Sequence, residues 1–445
     1  MNITVNDLSP DQREAYNSIV NWVCGSHDEP AVLSLGGYAG SGKSTLVSLV
    51  AEQVALPAFC AYTGKAASVL RRKLKAAGIE TVGVQRLDNE SFDNLRPFCG
   101  TIHSLIYQAC ECLELAKSSE EFEALKGPDG KCMICHGEEW TSRGALDRDY
   151  SLIIVDEASM VDDEMLSDLR AFGVPILAVG DHGQLPPVRG VGSLMKSPNL
   201  RLEKIHRQAE GNPIIALSKI VRETGRLPER MPENEHVWFG ELRFVNELIE
   251  RVHAEASAER LLELGIACYT NRRRVGLNAA VRRARGTAGN PPLKGEHVVC
   301  LRNMKGEGGR MPVANGMRGV LQNDAMLKKT SFDDEDEPQQ ISCSITFPED
   351  GIPAHTYTLL AAQFGREKTF QGVDELKEET GYRSFSSAGC LFDFGYAMTV
   401  HKMQGSAVSD LVVCVERPGP VDDESWRRWL YTAVTRSSNR LSVLR

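Results

Sequence analysis

No stretch of this 445-residue sequence approaches about eighteen uninterrupted apolar residues, which excludes a long hydrophobic helix crossing a bilayer. An excess of basic charge is also missing. Sixty Asp and Glu face 51 Lys and Arg, a net charge of −9. A chain of this balance does not hold nucleic acid by bulk attraction, although a local basic groove remains open to it. The opening Met1-Asn2-Ile3-Thr4-Val5-Asn6-Asp7 has neither the basic n-region nor the apolar h-region of an export signal. Internal repeats of the length that builds solenoids are absent. Cysteine is present twelve times, but in apolar runs around Cys60, Cys268, Cys300 and Cys414. Without an export signal, that placement predicts reduced thiols in a cytoplasmic (intracellular) protein.

What is present is an ordinary globular composition, 42% hydrophobic and 25% charged. The length suits three domains, or two large ones with insertions. Short apolar runs at 31–35, 58–62, 152–155, 175–179, 265–269, 411–415 and 441–444 predict buried parallel strands. Each precedes a loop and a helical pattern, so the fold class is α/β. The runs divide into 1–225 and 226–445, two cores. Two stretches interrupt them. Residues 105–149 are polar and cysteine-bearing, with a turn at Gly127-Pro128-Asp129-Gly130. Residues 295–387 carry β-like pieces at 296–301, 319–321 and 342–347 and a hairpin signal at Asn315-Gly316. Within them the acidic run 333–337 reads as a solvated loop tip.

The strongest local signal is Gly37-Tyr38-Ala39-Gly40-Ser41-Gly42-Lys43-Ser44, followed by Thr45 and a helical pattern over 45–54. It fits the phosphate-binding loop between a strand and a helix. Glycines let backbone N–H groups close around phosphates, and the helix N-terminus favours negative charge. Lys43 is expected at the β/γ-phosphates and Ser44 on Mg²⁺. A second half-site follows at Leu152-Ile153-Ile154-Val155-Asp156-Glu157. Asp156 fits the carboxylate on the Mg²⁺ side, and Glu157 fits a base for the attacking water. Together they predict an NTP hydrolase.

Further segments carry a family resemblance. Gly180-Asp181-His182-Gly183-Gln184-Leu185-Pro186-Pro187-Val188 resembles motif III of superfamily 1 helicases, Thr101-Ile102-His103-Ser104 their TIHS segment, and Tyr62-Thr63-Gly64-Lys65-Ala66-Ala67 their motif Ia. Residues 397–406 are similar to motif V and 430–436 to motif VI. Leu8-Ser9-Pro10-Asp11-Gln12 stands where a glutamine element precedes the loop. In set and order these motifs most resemble the RecD/Dda branch, whose members run 5′-to-3′ on single-stranded DNA.

The resemblance implies two RecA-like P-loop NTPase domains with ATP held between them. Motor domain 1 would be 1–225, with a duplex-splitting pin insertion at 105–149. Motor domain 2 would be 226–294 and 388–445, around an SH3-like β insertion at 295–387. No further domain is expected ahead of the motor, so the chain would be near the Dda size. Arg207 and Arg436 become arginine fingers, Gln184 a γ-phosphate sensor, Gln404 its counterpart, and Gln12 an adenine reader. Thr63, Thr101, His103, Pro187, Asn271, Thr399, His401 and Lys402 fall in motifs that line the strand channel.

The basic clusters at 71–73, 272–274 and 282–285 read equally as a phosphate track or as solvated helix faces. Cys132 and Cys135 are half of a Zn²⁺ site; with no second C-x-x-C, and only Cys99, Cys110 and Cys112 nearby, ordinary thiols are favoured over zinc. Trp140 reads either as a base-stacking ring or as packing. The implied partners are single-stranded DNA and single/double-strand junctions, with a single-strand-binding protein or a repair complex beside them, and no membrane; DNA repair, recombination and replication are the settings the resemblance implies. The rival readings are a translocase or motor subunit without autonomous unwinding, an ATP-dependent binding module, and RNA as the track. Intact Asp156, Glu157, Arg207 and Arg436 argue against the binding module.

Overall fold

The apolar runs become strands whose two faces feed separate cores. The computed structural model describes residues 4–25, 31–83, 96–109, 140–187, 190–204, 211–304, 313–328, 340–382 and 384–445. Two compact units result. The first comprises residues 1–62, 69–182 and 186–204; the second comprises Thr63–Ser68, Gly183–Leu185 and residues 205–445.

In the first unit, β1 (Val32–Gly37), β2 (Pro57–Ala61), β3 (Phe98–Thr101), β6 (Leu152–Asp156), β7 (Ile176–Gly180) and β8 (Leu200–Leu202) form one sheet. Its order is β3-β2-β6-β7-β1-β8, and every pairing is parallel. Side chains alternate between faces. Leu152 and Ile154 join Ile19, Leu46 and Leu74 on one side; Ile153 and Val155 join Phe98, Ile106 and Leu169 on the other. Each such buried aliphatic stabilises by roughly 1.5–3 kcal/mol. Between β3 and β6 a two-stranded antiparallel ribbon pairs β4 (Tyr107–Ala109) with β5 (Trp140–Ser142).

The second unit holds another all-parallel sheet, from β9 (Val237–Gly240), β10 (Leu264–Cys268), β17 (Ala397–Thr399), β18 (Val408–Cys414) and β19 (Ser437–Leu444). The order is β17-β10-β18-β19-β9. An antiparallel sheet in the same unit joins β11 (His297–Cys300), β12 (Arg318–Leu321), β13 (Met326–Lys328), β14 (Gln340–Phe347), β15 (Ile352–Leu360) and β16 (Phe392–Phe394). It has its own core, with Val298, Ile345, Phe347, Tyr357 and Phe392 fully or nearly fully buried. Gly316, at φ 90°, makes the turn into β12.

Two parallel sheets, one per unit, agree with the expected pair of RecA-like domains. Seven of the parallel strands match the predicted runs. Four were not predicted: β3, β8, β9 and β17 are three or four residues long and carry Gly, Thr or Arg among their apolar residues. They are strands because a neighbour's backbone offers them a ladder. The antiparallel sheet runs past residue 387, since β16 completes it. The Gly127–Gly130 turn and the acidic run 333–337 lie outside the described residues. Among the described residues, no helix is long and apolar enough to cross a membrane.

Candidate functional site

Parallel register puts the chemistry of the first unit on one edge. Gly36 pairs with Gly180, Val155 with Ala178, and Ala61 with both Asp156 and Thr101. The loops leaving β1, β7, β6 and β3 therefore leave from the same end, the carboxyl end at which open α/β sheets bind ligands. Those loops carry 37–44, Asp181-His182, Asp156-Glu157 and the Thr101–His103 segment.

The loop after β1 is built by its glycines. Gly40 and Gly42 stand at φ 81° and 82°, a region costly for other residues. At Gly37 a Cβ would lie 2.5 Å from Ser41 Oγ and 3.1 Å from Lys43 Cγ. The helix Lys43–Ala51 follows at once. Lys43 Nζ donates to the carbonyls of Gly37 (2.6 Å) and Tyr38 (3.1 Å), so its ammonium lies inside the loop. Ser41 Oγ is buried with no hydrogen-bond partner among the described residues. Gln12, 4% exposed, donates to the Ser41 carbonyl at 3.0 Å and accepts from the Ser9 N–H at 3.1 Å. Its amide thus braces the loop. Thr45 stands half-buried one position after Ser44 on the helix.

A cradle of backbone donors with an ammonium inside it fits a polyphosphate. The Ser44 hydroxyl and Asp156 carboxylate are hard oxygen donors of the kind Mg²⁺ takes. Glu157 is the single non-glycine residue with positive φ among the described residues, at φ 55° and ψ 39°. Its N–H donates to Asp156 Oδ1 at 3.0 Å, which orients the Asp156 carboxylate at the strand end. Two contacts were missed by sequence reasoning. Lys73 Nζ donates to Ser44 Oγ at 3.2 Å. The Tyr38 and His182 rings lie 4.2 Å apart. Nothing in either local sequence signals these pairings.

The expected strand contacts of the first unit are also ordered locally. Thr101 caps the short helix Ile102–Ile106 by accepting from the Ser104 N–H. His103 lies between Tyr62 (6.2 Å) and Tyr107 (5.4 Å), a row of three rings. Burial lowers the His103 imidazole pKa, only partly opposed by Asp162. Pro187 is half-buried.

In the second unit Cys268 pairs with Thr399, so the loops after β10 and β17 share an edge. Thr270 caps the helix Asn271–Ala284, and Asn271 stands exposed at its start. The His401 and Tyr269 rings meet edge to face at 5.8 Å, over the stacked Trp426 and Trp429. Burial lowers the His401 pKa too. Lys402 Nζ reaches Asn315 Oδ1 at 3.4 Å, and its N–H bonds to Thr399 Oγ1. Asn271, Thr399, His401 and Lys402 thus occupy one edge. Thr63, in this unit, accepts from the Ala66 N–H and starts the helix Gly64–Ala76.

Gln404, 2% exposed, donates to the Leu185 carbonyl at 3.0 Å. Gln184 is buried, and its carbonyl accepts from Arg428. Arg436, 6% exposed, donates to Thr432 O (3.1 Å), Ser406 O (3.2 Å) and Thr435 Oγ1 (3.2 Å).

The phosphate-track reading of the basic clusters fails at several of their positions. Arg274 is buried on Asp393 and Arg282 on Glu296. Arg285 donates to the His253 and Ala256 carbonyls, and Arg71 to that of Cys99. These guanidiniums are held by internal acceptors. Arg207, Cys110, Cys112, Cys132 and Cys135 lie outside the described residues, and Trp140 is described in its backbone alone. Cys99 is buried in the core of the first unit, and all eight described cysteines are free thiols.

The family model described as AAA domain matches residues 7–237, just over half of the chain. This chain belongs to that family. A second family model, described as UvrD-like helicase C-terminal domain, matches residues 394–444, so both halves of the chain resemble known families. An ATP-dependent RecD2 DNA helicase of Deinococcus radiodurans is 28% identical over 304 residues, covering 65% of this chain and 36% of the relative. Uncharacterized protein R530 of Acanthamoeba polyphaga mimivirus is 27% identical over 176 residues, covering 37% of this chain and 31% of that protein. The chain thus spans about a third of the length of the curated relatives it matches. Among solved structures, the Bacteroides Pif1 helicase in complex with ADP-AlF3 and ssDNA superposes with a TM-score of 0.48 at 18% identity, over 97% of this chain and 91% of that one.

Proposed function

We propose that this chain is an ATP-dependent DNA helicase that moves 5′-to-3′ on single-stranded DNA and unwinds duplex at single/double-strand junctions. The observation that carries this reading is the shared carboxyl edge. There a glycine cradle around Lys43, a strand-end Asp156-Glu157 pair and the His103 ring row leave one parallel sheet together. ATP would be held by residues 37–45 and Gln12, with Mg²⁺ on Ser44 and Asp156. The metal would supply charge neutralisation at the phosphates. Glu157 accepts the proton of the attacking water, and Arg436 with Arg207 meets charge developing on the γ-phosphate. Gln184 and Gln404 relate nucleotide state to strand grip. Thr63, Thr101, His103, Pro187, Asn271, Thr399, His401 and Lys402 hold the strand by backbone and stacking contacts rather than base-edge readout.

In this reading residues 1–225 are motor domain 1, with the pin at 105–149. Residues 226–294 and 388–445 are motor domain 2, around the SH3-like insertion at 295–387. Differential affinity of the two domains for DNA in the two nucleotide states drives the steps. A single-strand-binding protein or a repair complex is the fitting protein partner. The test is phosphate release from ATP, with and without a single-stranded oligonucleotide, for wild type and Lys43→Ala, followed by strand separation on 5′-tailed and 3′-tailed duplexes. Stimulation lost in Lys43→Ala, with unwinding of the 5′-tailed substrate, is expected. Stimulation without separation of either duplex would make the chain a translocase or motor subunit instead.

A further inference from the structure

The segment carrying Thr63 is gripped by the antiparallel sheet through a buried charge cluster. Lys65, 8% exposed, has its Nζ 2.6 Å from Glu349 Oε2 and 3.6 Å from Asp350 Oδ2. Glu349 also pairs through Oε1 with Arg318 at 2.9 Å. Arg318, 3% exposed, donates to the carbonyl of Leu264, the first residue of β10, at 3.0 Å and to that of Leu262 in the helix before it. Burial alone would raise the Glu349 carboxyl; the Arg318 and Lys65 charges override it and hold the group down at about 2. Both Asp350 oxygens are buried without a hydrogen-bond partner among the described residues, and Lys65 is the counter-charge the structure gives that side chain. Two cations face two carboxylates, so the cluster is neutral only when complete.

Backbone fit reinforces it. A Cβ on Gly64 would lie 1.8 Å from Ala314 Cβ, and one on Gly405 would lie 2.6 Å from Ala66 Cβ. Residues 64–66 are thus closed in by the turn before β12 on one hand and by the segment after Lys402 on the other. Asn315, in that same turn, accepts from Lys402. All of these residues belong to the second unit. A site that is charged, largely buried and closely packed has few alternative arrangements, which is the property a coupling element needs.

Resting on the helicase reading, the geometry points to Lys65 and Glu349 as positioning residues: their ion pair makes the antiparallel sheet part of the strand-gripping edge, and breaking it uncouples ATP turnover from strand separation. Neither residue touches nucleotide in this scheme. Their effect runs through the placement of Thr63 and of the helix that starts behind it.

The test uses the full chain and reads two quantities, DNA-stimulated phosphate release and duplexes separated per ATP consumed. Lys65→Met and Glu349→Gln are expected to keep stimulated turnover within about threefold while duplexes separated per ATP fall by about tenfold, and Lys65→Arg should restore most of the loss. A brace with no coupling role would instead lower turnover and separation together, alongside the melting temperature, and would overturn the proposal. So would an unchanged ratio in both variants. Should Lys65→Met fail to fold because it strands Asp350, Glu349→Gln, which keeps the side-chain shape and one acceptor oxygen, decides the matter. Wild type without DNA-stimulated turnover would overturn the helicase reading itself, a result distinguishable from failure of the coupling proposal.

Discussion

Replacing Glu157 by glycine should abolish turnover and stabilise the fold relative to replacement by alanine. Glu157 sits at φ 55° and ψ 39°. Holding an L-residue there costs about 1–2 kcal/mol. Glycine escapes that cost but adds about 0.5–1 kcal/mol of unfolded-chain entropy. Alanine keeps the strain, and both substitutions remove the carboxylate. Glu157→Gly should therefore exceed Glu157→Ala by about 0.5–1 kcal/mol, which at the size of the first unit is roughly 1–4 °C in Tm. Glu157→Gln keeps the backbone and the side-chain shape, so it should melt near wild type. Loss of a positioned base removes about 10²–10⁴ in rate, near 3–5 kcal/mol of transition-state stabilisation, in all three variants. The assays are calorimetric melting of the full chain and phosphate release at saturating ATP. If Glu157→Gly melts no higher than Glu157→Ala, no strain is stored at this position. If Glu157→Gln turns over normally, the base is misassigned.

Arg436→Ala should leave ATP binding, measured by a fluorescent nucleotide, largely intact while cutting turnover about 10³-fold or more. Arg436→Lys should not rescue it, because a point charge cannot copy the planar fork that serves Thr432, Ser406 and Thr435. Tyr107→Phe removes a hydroxyl bonded to Asp168 at the root of the β4–β5 ribbon. It should cost roughly 1.5 kcal/mol, the low end for a charged partner because both groups are only half-buried, read as a lower denaturant midpoint at unchanged slope. Lys402 gives a pH dependence. Burial brings its ammonium down from 10.5 to about 8, while Cys300, Arg274 and Asp393 act as smaller, partly cancelling influences. Single-strand affinity should therefore weaken as pH rises through 8, and the salt slope should shrink by about one charge, an effect absent in Lys402→Arg. Stability moves oppositely: between about 8 and 10.5 the unfolded chain keeps a proton that folded Lys402 has lost, so this group favours folding more as pH rises. A flat affinity profile in wild type would remove Lys402 from the strand contact.

Much of the site was legible because its signals are local. The loop 37–44 needs glycines where φ is positive and a lysine at the helix start, and both requirements are met within eight residues. The Asp156-Glu157 pair stands at the end of an apolar run, where parallel strands terminate their pairing. Residues 272–274 show where local reading stops. Arg272 is exposed, Arg273 pairs with Glu416, and Arg274 is buried on Asp393. Three adjacent arginines have three fates, and nothing within the triplet separates them.

By itself, the sequence determined the strand periodicity, the phosphate loop, the acidic pair and the order of the motifs, since each depends on sterics and hydrogen bonds among near neighbours. Only the tertiary structure decided that β3, β8, β9 and β17 are strands, that Gln12 braces Ser41, that burial lowers the His103 and His401 pKa values, and that Lys65 meets Glu349 across 284 positions. A short strand needs a partner's backbone, and a shifted pKa needs the apolar walls that exclude water. A buried charge needs an opposite one brought to it from elsewhere in the chain. Those conditions exist only after the sheets have closed.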